Sequence, residues 1–169
     1  MIDAGYVRMM ARYNAWQNRQ VLDVLRDADP AELTRERGAF FGSILGTLSH
    51  LLWGDHMWMS RFDGGSAPDG GIVDSPRLVP TLAAWEAGRG PMDGRIRLWA
   101  AALDDVELAG ELTWFSGASG REVTRPHGLC IAHMFNHQTH HRGQVHAMMT
   151  GAGLAAPVSD IVFMPEEEN

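Results

Sequence analysis

The sequence lacks the features that disulfide-bonded and membrane-spanning proteins depend on. Among its 169 residues there is a single cysteine, Cys130, which cannot form an internal disulfide, so nothing indicates an oxidising compartment. Its uncharged apolar runs are too short to span a bilayer, and the N-terminal segment lacks the basic-then-apolar order of a secretory signal. We therefore expect a cytoplasmic protein that does not enter the membrane.

Basic residues are also scarce. The chain has 14 Lys and Arg residues against 21 Asp and Glu residues, which gives a formal net charge of −7. No Lys/Arg cluster offsets this acidic surface, which repels phosphate backbones. Nucleic acid is therefore not an expected partner.

The remaining composition is that of a globular protein. Hydrophobic residues make up 45% of the chain and charged residues 21%, far from the composition of a disordered protein. A chain of this length can bury one sizeable core without cross-links. We expect a single domain over residues 1–169.

Hydrophobic periodicity predicts three helices in the first two thirds of the chain. The first covers residues 3–27, and the second begins at a Ser43 cap and runs to about Phe62. Residues 63–80 are rich in Gly, Pro and Asp, which predicts a long loop of the kind that often carries function. The third helix covers about residues 81–105, with a break in its first half, where glycines surround a proline.

Two further elements follow. The segment "LTWFSGASGREVTR" has short alternating arms around a Gly/Ser turn and predicts a β-hairpin. Residues from Pro126 to about Thr150 are again helical in pattern and end at "GAG". The sequence thus predicts an all-α four-helix bundle with a small β-hairpin before the last long helix.

Histidines are concentrated on the last predicted helix, where five of the eight in the chain fall within 14 residues: His133, His137, His140, His141 and His146. At about 100° per residue, most of them share one face. His137 and His141 lie nearest the apolar stripe, and their i, i+4 spacing lets two imidazoles reach one cation. Surface or hydrogen-bonded histidines are the alternative for any single position.

A third ligand must come from another helix. The second helix offers His50 in "TLSHLLWGDHMW", whereas His56 is less well placed. The sequence lacks the residues that two other kinds of metal site require. It has no Glu-x-x-His motif for a di-iron bundle, and "HQTHH" lacks the glutamate of His-Glu-x-x-His proteases.

These segments together resemble a known family. The order "GSILGTLSHLLWGDHMWMSRF", a hairpin, then "HMFNHQTHHRGQVHAMMTGAG" is similar to the DinB family, the DinB/YfiT-like metalloenzymes, over nearly the whole chain. The resemblance implies an up-down-down-up four-helix bundle, usually a homodimer, with a divalent metal ion held by three histidines. Carried over to this sequence, these ligands are His50, His137 and His141, and zinc or nickel is the usual ion.

The resemblance also bears on function. Characterised relatives include thiol-dependent transferases and the mycothiol-dependent maleylpyruvate isomerase, which implies a small-molecule substrate such as a low-molecular-weight thiol. We therefore expect a metal-dependent enzyme that activates a small thiol or water, without an assigned catalytic residue. The alternative is a non-catalytic protein with a structural or sensory metal, in which Asp55, His140 or a residue of the 63–80 loop supplies a fourth ligand.

Other polar residues have two interpretations each. Asp55 falls within the apolar stripe of its helix and needs a partner, either a histidine that it orients or an arginine such as Arg142. Gln144 and Asn136 flank the paired histidines and either contact substrate or brace the helices. Cys130 is expected to be a buried thiol. Because only neutral imidazole binds a metal, we expect release of the ion below about pH 6.

Overall fold

The computed structural model describes residues 2–117 and 119–166, and within them the fold is mostly helical. In chain order the elements are α1 (Ala4–Leu25), α2 (Pro30–Thr34), α3 (Ile44–Phe62), α4 (Leu82–Ala102), α5 (Asp105–Leu108), β1 (Glu111–Ser116), β2 (Arg121–Pro126) and α6 (His127–Gly151). The all-helical prediction with one hairpin is confirmed.

Side-chain caps begin α1, α3 and α4. The Asp3 carboxylate accepts a hydrogen bond from the backbone N–H of Tyr6 at the start of α1. Ser43 accepts from the N–H of Gly46 at 3.0 Å, as predicted, and this bond sets where α3 begins. A cap of this kind contributes about 1 kcal/mol to helix stability.

The predicted break in the third helix is wrong, because α4 runs unbroken through Pro91. Pro91 and Ala87, whose carbonyl loses its N–H donor, are both exposed, so water can satisfy that oxygen. Buried residues before and after the proline anchor the helix, among them Trp85, whose indole N–H donates to the Leu48 carbonyl at 3.1 Å. Packing against the core therefore outweighs the low intrinsic helix propensity of this segment.

The hairpin packs against α3 through an aromatic contact. β1 and β2 are antiparallel, with Trp114 opposite Val123 in the register. The Trp114 ring lies 5.6 Å from the ring of Trp58 on α3. Ala118, in the predicted turn, lies outside the described residues.

The core lies between the four long helices. α1 packs mainly along α4, and α3 packs along both α4 and α6. Its largest fully buried apolar side chains are Trp85, Phe135, Leu25, Ile44, Leu48, Leu52, Met59, Ile96, Ile131, Met134 and Met149. The up-down-down-up order of the bundle stays a prediction.

A polar network crosses this core. Asp55 on α3 accepts from Arg89 on α4 and from the Gln138 amide on α6, both at 2.6 Å. Asp55 therefore has an arginine partner, but it is Arg89 and not the suggested Arg142, which instead donates to Asn14 of α1. The reason is that α4 faces α3 at this level and presents Arg89 to Asp55.

Among the described residues, no helix has both the length and the apolar character that a membrane span requires.

Candidate metal centre

Three of the predicted histidines meet where α3 packs against α6. His50 projects from α3, and His137 and His141 project from successive turns of α6. One ring nitrogen from each lies within 4.8 Å of the other two, and the Nε2 atoms of His50 and His137 are 2.9 Å apart. The structure thus joins residues that are distant in sequence into one cluster.

His50 is fixed by a loop residue that sequence reasoning missed. Its Nδ1 lies 2.8 Å from the hydroxyl oxygen of Ser75, and that hydroxyl donates to the carbonyl of Ile72 at 2.6 Å. Because the hydroxyl hydrogen is already used, Ser75 must accept from His50, which places the imidazole hydrogen on Nδ1. The Nε2 lone pair of His50 therefore faces the other histidines.

His141 has the same arrangement with a different partner. Its Nδ1 lies 2.7 Å from the side-chain oxygen of Gln144, which can only accept, so Nδ1 carries the hydrogen. The Gln144 amide nitrogen lies 3.3 Å from Nε2 of His140, which is consistent with this orientation of the amide. This contact lies within α6, so it orients His141 and is neither of the two roles suggested for Gln144, substrate contact or bracing of the helices.

His137 lies against a glycine of the facing helix. A Cβ added at Gly54 would stand 3.2 Å from Cε1 of His137 and 3.6 Å from its Nδ1. Gly54 sits inside α3, where glycine costs about 1 kcal/mol relative to alanine. The close approach of the imidazole explains why a small residue is needed there.

Aromatic side chains enclose the cluster. Phe41, in the loop before α3, stacks on His50 with a ring-centroid separation of 3.8 Å and lies 5.3 Å from the ring of His141. Trp53 stacks on His50 with centroids 6.0 Å apart. These rings leave His50 only 1% exposed and His141 only 7% exposed.

This environment keeps the imidazoles neutral. Burial, followed by the proximity of His137 and His141, lowers the pKa of His50 to about 3. Burial, followed by the proximity of His141, lowers the pKa of His137 to about 4, and burial also lowers the pKa of His141. At neutral pH all three rings therefore have a lone pair for a cation.

The other candidate residues are not part of the cluster. His133 and His140 are exposed, and His133 packs 5.1 Å from the ring of Trp58. Both carboxylate oxygens of Asp55 are bonded to Gln138 and Arg89. Among the described residues the cluster has three members, and none of the suggested fourth ligands joins it.

The donor set fits a divalent transition ion. Two imidazole nitrogens bound to one tetrahedral zinc ion at 2.0–2.1 Å stand about 3.3 Å apart, which lies between the 2.9 Å that separates His50 from His137 and the 4.8 Å within which all three nitrogens fall. Hydrogen bonds to the outer nitrogens of metal-binding histidines are a regular feature of such sites. The three histidines could therefore hold a metal ion.

Comparisons with known proteins give consistent results. The sequence model of the DinB family matches residues 1–169. The protein named DinB from Bacillus subtilis (strain 168) is 26% identical over 162 residues, covering 92% of this chain and 93% of that protein. The crystal structure of a DinB-like protein from Bacillus cereus ATCC 10987 shares the fold, with a TM-score of 0.58, 21% identity, and coverage of 85% of this chain and 90% of that one.

Proposed function

The chain belongs to the DinB family, and from that premise we propose that it binds one divalent metal ion through His50, His137 and His141. The proposal rests on one observation: hydrogen bonds hold two imidazoles, one on α3 and one on α6, in a single tautomer. Ser75 and Gln144 each accept the Nδ1 hydrogen of a histidine and so leave the Nε2 lone pairs of His50 and His141 available to an ion, and the Nε2 of His50 faces His137. Two residues from different parts of the chain therefore give both imidazoles the same tautomer.

The proposed ion is zinc or nickel. Neutral imidazole nitrogens are good ligands for both, and the donor set has no thiolate or carboxylate that would favour another ion. The depressed pKa values of His50 and His137 mean that few protons must be displaced on binding near neutral pH.

We further propose that the protein is a metal-dependent enzyme acting on a small-molecule substrate, such as a low-molecular-weight thiol. A bound ion lowers the pKa of a thiol or water to near neutrality and so supplies a nucleophile without a separate base. A cluster of three protein ligands supports catalysis, because structural zinc sites usually have four. Phe41 and Trp53 keep bulk water away from the histidines.

A second candidate is a non-catalytic structural or sensory metal site. The burial of His50 and His141 favours it, since a closed site restricts access for a substrate. In that case the ion would act as a cross-link between α3 and α6. The two candidates differ in one observable, which is turnover that depends on the metal.

Metal content tests the binding proposal. The purified chain, reconstituted with zinc or nickel and dialysed, should contain about one ion by elemental analysis. The double variant His137→Ala/His141→Ala should lose it, whereas His140→Ala, which removes an exposed neighbour on the same helix, should keep it. Full metal retention by the double variant would rule out this site.

Activity separates the two candidates. Low-molecular-weight thiols are combined with electrophilic acceptors, and turnover by the metal-loaded chain is compared with that of His141→Ala and of His140→Ala. The enzyme proposal expects loss of turnover in His141→Ala alone. Metal binding without turnover that depends on His141 would favour the structural or sensory candidate.

A further inference from the structure

Arg61 is held between two tryptophans at the end of α3. Its guanidinium carbon lies 4.6 Å from the ring centroid of Trp58 on the same helix and 5.1 Å from that of Trp114 on the hairpin. The side chain is half-buried, and burial lowers the pKa of its guanidinium. A cation in the last turn of a helix interacts favourably with the helix dipole without such an enclosure. The dipole alone therefore does not account for this placement.

The guanidinium of Arg61 has no acidic partner. Among the described residues it forms no ion pair and donates no hydrogen bond, and each of its nitrogens keeps access to solvent. Asp63, two positions further on, is already paired with Arg95 through two hydrogen bonds. The ionisable group that favours the cation is the Cys130 thiol, but burial raises the pKa of that thiol, so it is neutral at pH 7. The donors of Arg61 are therefore available to a ligand.

A row of rings joins Arg61 to the candidate metal centre. The Trp58 ring lies 5.1 Å from that of His133, which precedes His137 by one turn of α6, and the rings of His133 and His137 are 6.0 Å apart. His133 is exposed and His137 is half-buried, whereas the other two histidines of the cluster are buried. The cluster is therefore most accessible at His137, on the side toward Trp58 and Arg61.

A carboxylate is the group that fits this position best. The planar guanidinium matches the geometry of a carboxylate and can bind it through two parallel hydrogen bonds. A monoanionic carboxylate loses less hydration beside two indoles than a dianionic phosphate does. The protein as a whole has a formal net charge of −7, which repels anions, so Arg61 provides a local point of attraction for one.

We propose that Arg61 binds the carboxylate of an acidic substrate whose reacting end lies at the histidine cluster. Trp58 and Trp114 hold the guanidinium in place and contact the apolar part of that substrate. This inference rests on the proposed function, because it places the substrate between the metal-binding histidines and the cation. The substrate class is then an acid with an apolar arm, such as a carboxylic acid that carries a thiol at its other end.

Probes that differ only in the carboxylate test the proposal. 8-Mercaptooctanoate and 11-mercaptoundecanoate, which have two lengths of apolar arm, are compared with 8-mercapto-1-octanol and 11-mercapto-1-undecanol. The measurement is isothermal titration calorimetry of the metal-loaded full chain at constant ionic strength. We expect at least one acid to bind at least about tenfold more tightly than its alcohol, because the hydrogen bonds to Arg61 are charge-assisted.

Two variants carry the comparison. Arg61→Met removes the cation but keeps an unbranched apolar side chain against the tryptophans. It should abolish the preference for the acid and leave binding of the alcohol unchanged, which loss of a merely structural residue would not do. Arg121→Met is the matched control, because Arg121 is an exposed residue at the start of β2 and its replacement changes the net charge equally. The control should keep the full preference. If Arg61→Met does not fold, Arg61→Gln takes its place.

Failure of this inference can be distinguished from failure of the proposed function by measuring metal content in parallel. If the parent chain holds its ion but binds acid and alcohol equally at both lengths, or if Arg61→Met keeps the preference, the inference is overturned and the metal site is not. If the chain holds no ion, the proposed function fails. Octanoate and 1-octanol, which have no thiol, then decide about Arg61. A preference for octanoate that Arg61→Met loses would support carboxylate binding by Arg61, and equal binding would overturn it.

Discussion

The Ser75 hydroxyl lies 2.8 Å from Nδ1 of His50 and determines which nitrogen of that ring carries the hydrogen. Ser75 is fully buried in a single 3-10 turn of the loop between α3 and α4, and its own hydrogen is committed to the Ile72 carbonyl. The loop therefore contributes a hydrogen-bond partner to the candidate site. Its conformation is coupled to the orientation of His50.

Replacing Ser75 by alanine should weaken metal binding more than it weakens the fold. His50 would lose the acceptor that selects its tautomer, and loss of such a contact typically lowers metal affinity about 10–100-fold. Competition with a chromophoric chelator measures the change. Ser66→Ala, at an exposed position of the same loop, is the matched control and should bind like the parent chain. An unchanged affinity in Ser75→Ala would show that Ser75 does not position His50.

Gly54→Ala should weaken metal binding while the stability of the fold stays the same or rises. Alanine gains up to about 1 kcal/mol in a helix interior, but its Cβ would stand 3.2 Å from His137, so the imidazole must move by a few tenths of an ångström. We expect unfolding by urea at an equal or higher concentration, together with weaker metal binding. Gly94→Ala, with open space around its Cβ, is the control and should change neither the site nor the ion affinity. Equal affinities for all three chains would contradict this account of Gly54.

Asp55→Ala should be strongly destabilising. It removes the acceptor of two buried hydrogen bonds and leaves Arg89 with only Asp93, and breaking a buried ion pair typically costs about 3–5 kcal/mol. Asp63→Ala, which breaks the more exposed pair with Arg95, should cost about 1 kcal/mol or less. Urea denaturation of the metal-free chains compares the two. Similar losses in both variants would show that the buried network contributes little.

The metal-free chain should lose stability as the pH falls from about 6.5 toward 4. His50 and His137 have folded-state pKa values of about 3 and about 4, whereas an unfolded histidine titrates near 6.5. The unfolded chain therefore binds more protons in this window, so acid favours it and the stability present above pH 6.5 declines. His137→Ala/His141→Ala should show a shallower decline in urea midpoints, and a flat profile for the parent chain would contradict the burial of neutral rings.

The low pKa values of His50 and His137 also lower the pH at which the metal ion should leave. The sequence suggested release below about pH 6, on the basis of ordinary imidazoles. Since protonation of His50 and His137 requires more acid, we expect the ion to stay bound at pH 6 and to leave only at lower pH. Elemental analysis after dialysis at each pH measures this.

Homodimer formation stays a prediction. It follows mainly from the family resemblance, and large apolar side chains on the surface support it, including Phe40, Leu98 and Phe163, which are 82%, 76% and 68% exposed. Light scattering at micromolar concentration should give twice the chain mass. A monomer mass would show that this member differs.

Local patterns in the sequence predicted most of the elements and the pairing of His137 with His141, whereas the resemblance to the family supplied His50 as the third member. The Ser43 cap and the i, i+4 spacing of His137 and His141 are local signals, and the structure has both where they were expected. Gln144 was also visible, because it lies one turn from His141 on the same helix face.

Long-range contacts could not be predicted in this way. Ser75 reaches His50 only after the loop has folded over α3, and Arg89 reaches Asp55 only when α4 packs against α3. The proline suggested a break because intrinsic propensity ignores the buried anchors on either side of it. Only the packing of whole helices determines such partners.

The stacking of Trp53 on His50 makes the candidate site optically observable. The indole lies 6.0 Å from an imidazole of the cluster, and its N–H has no hydrogen-bond partner among the described residues. Because indole emission responds to nearby charge and to paramagnetic ions, nickel loading should quench, and zinc loading should shift, the part of the emission that Trp53 contributes among the six tryptophans. Binding at the histidines can therefore be followed in real time without an attached dye.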